Sequence, residues 1–77
     1  MMIMRKIEGV EIELNTQLFG GAILRINGNV ICGMADSNVE NKLIKCIQCG
    51  ETLNEVVEAL GETTANGIMV KNVLENL

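Results

Sequence analysis

Residues 36–61 read DSNVENKLIKCIQCGETLNEVVEALG, and the reading of this stretch decides the fold. Val39, Leu43, Cys46 and Ile47 recur on one helical stripe, widened by Ile44, while Glu40, Asn41, Lys45 and Gln48 lie elsewhere. Asp36, Ser37 and Asn38 each suit an N-cap, because their short side chains accept from backbone N–H groups left free by the first turn. Gly50 suits the position just past a helix end. Thr52-Leu53-Asn54-Glu55 then fits a capping box, with Thr52 as the cap and Glu55 reaching back. Leu53, Val56, Val57 and Leu60 form the apolar stripe of a second helix, which Gly61 ends. The stretch is two helices joined by a tight, glycine-punctuated turn.

Working outward toward the N-terminus, residues 7–14 (IEGVEIEL) alternate Val10, Ile12 and Leu14 with Glu11 and Glu13. Period two with β-branched residues predicts a half-buried strand with a solvated acidic face. Asn15-Thr16-Gln17 breaks it, and Gly20-Gly21 marks a turn or a kink. Ala22–Ile26 reads as a second strand and Val30–Met34 as a third, joined by Asn27-Gly28, the strongest short-range hairpin signal. A two-residue loop sets Arg25 opposite Val30, Leu24 opposite Ile31 and Ile23 opposite Cys32. Both faces of this hairpin carry apolar residues, so it is either covered twice or keeps one apolar face for a partner. Beyond the polar segment 62–67, Ile68, Val70, Val73, Leu74 and Leu77 fit a third helix. The expected architecture is α+β in a single domain spanning 1–77: a three-stranded antiparallel meander followed by three helices, winged-helix-like.

Composition excludes several functions. The chain has 77 residues, 48% of them hydrophobic, and Phe19 is its only aromatic. An aliphatic core this small is near the limit at which burial alone holds a fold, so help from a partner or a second copy is expected. Ten acids against six bases give a net charge of −4, the wrong sign for displacing counterions from phosphates, so no nucleic-acid partner is expected despite the helix–turn–helix pattern. No segment approaches the roughly 20 apolar residues of a membrane span. MMIMRKIEG is apolar and then basic, the reverse of a secretory signal, and three cysteines make an odd count. Both features point to a reducing cytoplasm with free thiols.

Cys46-Ile47-Gln48-Cys49-Gly50 contains a CxxC, but zinc wants four ligands and the chain adds only Cys32 and no histidine. The pair also falls at a helix C-terminus, where the dipole opposes a thiolate. Cys46 is in phase with the buried stripe and reads as a small core hydrophobe. Glu11 and Glu13 share a strand face without further oxygen ligands, which reads as a solvated face rather than a metal site. Gly20, Gly21, Gly28 and Gly33 make no phosphate-binding pattern. Without histidine, Ser37 has no base to activate it, so no enzyme, no metal and no cofactor is expected.

Strands, a capped helix and then Gly50, Thr52-Leu53-Asn54-Glu55-Val56 and a third helix together resemble the RiPP recognition element family, small winged-helix domains that include the pyrroloquinoline-quinone peptide chaperones. Asn38, Gly50 and the Thr52 run fall at matching spacing, and the resemblance covers about residues 10–77. The leucine usual before the asparagine is Ser37 here, and the chain stops at Leu77 without the glycine and apolar pair that often follow. The resemblance implies capture of an extended leader peptide by β-augmentation on the third strand, against the third helix. It implies binding residues at Val30, Ile31, Cys32 and Met34 on the strand and Val70, Val73 and Leu74 on the helix. Independent support comes from the sequence of that strand: apolar, with no charge or proline to guard an edge. Cys32 followed by Gly50-Glu51-Thr52-Leu53 is also similar to iron–sulfur scaffold proteins of the U type, although the other ligands of that family do not map onto Cys46 or Cys49. A structural homodimer formed by strand pairing is the third reading.

Overall fold

The computed structural model describes residues 1–77. Four strands, β1 Met2–Ile7, β2 Val10–Thr16, β3 Ala22–Ile26 and β4 Asn29–Met34, precede three helices, α1 Ser37–Cys49, α2 Leu53–Leu60 and α3 Ala65–Glu75. The strands form one antiparallel sheet in the order β1-β2-β3-β4. The α+β class and all three helices agree with the sequence reading; the three-stranded meander does not. β1 is the additional strand, paired with β2 from Met2↔Asn15 to Ile7↔Val10.

The reason β1 escapes a pattern reading lies in its turn. Glu8 (φ 51°) and Gly9 (φ 80°) are both left-handed, as are Asn27 (φ 50°) and Gly28 (φ 83°) in the β3–β4 hairpin. Both are two-residue hairpin turns, but glutamate is a poor left-handed residue, costing roughly 1–2 kcal/mol. The strain is compensated by what the turn achieves: the Glu8 carboxylate accepts a 2.6 Å hydrogen bond from the Leu53 N–H at the start of α2. Thr52 stands at the backbone N-cap position yet makes no side-chain cap bond. Glu55 does reach back, accepting from the Glu51 N–H at 3.3 Å and the Thr52 hydroxyl at 3.4 Å.

Asp36 caps α1, accepting from Asn38 and Val39. At the other end Gly50 is extended (φ −71°, ψ 155°), not left-handed. Glycine is required there for space, because a Cβ would run into the Cys46 carbonyl and the Glu55 carboxylate. The exposed carbonyls of this turn are collected by Arg5 of β1, whose guanidinium donates to Gln48 O and Gly50 O. Thr64 caps α3 by accepting from the Gly67 N–H at 3.0 Å, which starts the helix earlier than its apolar run. A Cβ at Gly67 would collide with the Gly61 carbonyl, so this glycine sets the close approach of α3 to the end of α2.

Fourteen buried residues make one core between one face of the sheet and the helices; Ile12, Leu14, Leu24, Leu43, Val56 and Val70 are wholly enclosed. The register puts Met2, Met4, Lys6, Glu11, Glu13, Asn15, Ile23, Arg25 and Val30 on the opposite face, which no element covers. No helix is long and apolar enough to cross a membrane.

The Arg5 contacts predict that Arg5→Met, which keeps the stem and removes the donors, costs about 1–3 kcal/mol. At roughly 4–8 °C per kcal/mol for a domain of this size, calorimetry resolves that loss easily; an unchanged melting temperature contradicts the assignment.

Candidate functional site

β4 is a terminal strand of the sheet, and its far side has no strand partner. Its register with β3 runs Arg25↔Val30, then Leu24↔Cys32 and Ile23↔Gly33, so Ile31 is an extra residue in a β-bulge. This corrects the regular pairing expected after Val30. The bulge reverses the alternation, turning Cys32 into the core beside Leu24 while Ile31 packs partly against the same core. Val30 stays on the uncovered face and is well exposed.

α3 lies against β4, and the Asn66 carboxamide donates to the Gly33 carbonyl at 3.0 Å. That is the one β4 backbone group bonded by a side chain. The contact fixes which side of α3 looks at the strand: Met69 and Val73 follow Asn66 at helical spacing and share its side. Beside the end of β4, Met34, Val39, Leu60, Thr64 and Asn66 line a hollow of about 320 Å³.

The seven residues named from the sequence therefore divide. Ile31, Met34 and Val73 are half-buried around the β4 edge. Cys32 and Val70 are core residues, the latter fully enclosed, and have no surface to offer a ligand. Leu74 turns toward α2, lining a separate hollow with Leu53 and Val57. Asn66 was missed because 62–67 read as a polar connection, and Met69 because the apolar side of the third helix was read as Ile68, Val70, Val73, Leu74 and Leu77. The signal available was Thr64 as a helix cap, which would have placed Asn66 in the first turn of α3 with Met69 one turn on.

The largest cleft, about 540 Å³, lies elsewhere, between α1 and α2, lined by Lys42, Lys45, Cys46, Cys49, Glu55 and Glu58. All three cysteines are free; Cys32 and Cys46 are buried and Cys49 is exposed. The Cys49 thiol donates to the Lys45 carbonyl at 3.0 Å. Burial pushes the Cys32 thiol above its ordinary value of 9.0. Burial is also the main cause raising Cys46, assisted by the Glu55 carboxylate and opposed by Arg5. No three Cys, Asp or Glu side chains come together as a metal-holding group, so Cys32, Cys46 and Cys49 do not form a ligand set.

No family model, curated protein or solved structure matches the chain. The site is defined by its own geometry.

Burial predicts that an aromatic disulfide reagent titrates Cys49 quickly in the folded protein and Cys32 and Cys46 only on unfolding; three equally fast thiols contradict it. Because the folded protein holds both buried thiols protonated beyond their unfolded value, their contribution to stability is complete below about pH 9 and declines as the pH rises further. Denaturant titrations above that pH should show the decline, and Cys32→Ala should reduce its slope.

Proposed function

We propose that this domain is a non-catalytic binding module that captures an extended peptide as a fifth strand on β4. The observation that carries the reading is an unpaired sheet edge, Asn29–Met34, flanked by an apolar helix side and bearing no charged residue. The opposite edge strand, β1, carries Arg5 and Lys6, and charge is the usual guard against strand addition. A peptide in register would exchange main-chain hydrogen bonds with β4, each worth about 0.5–1.5 kcal/mol net. Its alternate side chains would fall into the space by Ile31, Met34, Met69 and Val73 or onto the outer face beside Val30, which is where specificity would arise. Asn66, holding the Gly33 carbonyl, would limit how far along the strand the peptide pairs. The resemblance to RiPP recognition elements supports a leader peptide as the ligand class, and three free thiols support a reducing compartment such as the cytoplasm.

The test uses a displayed library of random peptides selected on the purified domain, with binding mapped by amide chemical shifts. Selected peptides should perturb β4 and the Asn66 side of α3, and Ile31→Pro should weaken them at least about tenfold while circular dichroism stays native. Unchanged affinity in the folded variant ends the proposal.

A further inference from the structure

We infer that the outer face of the sheet packs on the same face of a second copy, making a two-sheet homodimer. Beside the row Met2, Asn15, Ile23, Gly33, the register gives a continuous cross-strand row at the charged centre of that face: Met4, Glu13, Arg25, Val30. The row reads apolar, acid, base, apolar, and it is self-complementary about the line between β2 and β3. A two-fold axis running along the strands at that line lays Glu13 over the partner's Arg25 and Met4 over the partner's Val30. Two sheets packed face to face in aligned fashion keep their strands near this orientation, about 10 Å apart. An isologous interface requires this kind of match, each residue meeting its counterpart in both directions.

Three further observations fit this occupant. Glu13 and Arg25 already form a 2.9 Å ion pair whose side chains are only 14% and 29% exposed, so much of their desolvation is met before association. Met4 and Val30, flanking them, are 51% and 61% exposed. The same axis emerges at the loop joining β2 to β3, which holds the two most exposed large apolar residues of the chain, Leu18 at 88% and Phe19 at 97%. Two copies on that axis bring these loops side by side at one end of the interface. Single charges of one sign would instead favour a partner of opposite charge; this face is neutral across its centre. A domain of this length rarely gains more than about 3–5 kcal/mol from its own core, and the second sheet supplies the missing apolar burial. The two readings meet only at Val30: face-to-face packing leaves the backbone edge of β4 open to a peptide and covers the outer face beside Val30.

The experiment is a charge swap. The double variant Glu13→Arg with Arg25→Glu preserves the pair within each chain and, on the same axis, the contacts between two swapped chains. Mixed with wild type it sets acid over acid and base over base. Sedimentation over a dilution series should show dimers for wild type and for the swapped variant, and native mass spectrometry of the mixture should show heterodimers far below their statistical share. Val30→Lys, at an exposed position, should stay folded and weaken the dimer at least tenfold, which decides the matter if the swapped chain does not fold. A wild type that is monomeric throughout, heterodimers at the statistical share, or a Val30→Lys dimer as tight as wild type would each overturn the inference.

Discussion

Two facing helix ends, the C-terminus of α1 and the N-terminus of α2, meet at the turn from Gln48 to Leu53, and both are satisfied by one hairpin. Arg5 takes the carbonyls of Gln48 and Gly50, and Glu8 takes the Leu53 N–H. The signs match the helix dipoles, a cation at a C-terminus and an anion at an N-terminus, each worth about 0.3–1 kcal/mol beyond the hydrogen bond itself. Left bare, these backbone groups would sit where α1 and α2 converge on the sheet, and unpaired polar groups there cost more than the bonds return. The sheet is therefore fastened to the helices through β1, and the rest of the arrangement follows from which edge is fastened.

With β1 committed to the helices, β4 becomes the edge that remains unpaired. α3 reaches it by packing and by the single Asn66–Gly33 contact. The molecule thus has a closed side, where charged groups bind helix ends, and an open side, where an uncharged, bulged strand runs beside an apolar helix flank. The uncovered outer face of the sheet is a third surface, with its own chemistry, and the two proposals assign a peptide to the edge and a second copy to the face.

Much of this was legible in the sequence where periodicity is local. The stripes Leu43–Cys46–Ile47 and Val56–Val57–Leu60 are core, Asp36 caps α1, and the Asn27-Gly28 hairpin stands where its signal put it. What was not legible depends on contacts distant in the chain. Glu8 adopts a left-handed conformation for a helix end 45 residues away, so the turn that reveals β1 does not look like a turn. Gly50 stands at the end of α1 for lack of space against Cys46 and Glu55, its φ being negative. At the candidate site the bulge at Ile31 moved Cys32 inward, and no residue type announces an extra residue in a strand. Val70 is expected at the groove because the resemblance sets a peptide against the third helix, and helix periodicity identifies an apolar side without saying whether it faces core or groove.

Residue-resolved hydrogen exchange tests the central claim, that the β1 hairpin fastens the helices and leaves β4 open. The account predicts that the Leu53 amide, lacking any partner within its own helix, exchanges as slowly as the enclosed amides of β2 and β3 because Glu8 holds it, while outward amides of β4 exchange rapidly in the free protein. A Leu53 amide that exchanges at the rate of the exposed loops, or β4 amides protected as fully as those of the central strands at dilutions where no partner is bound, would contradict it.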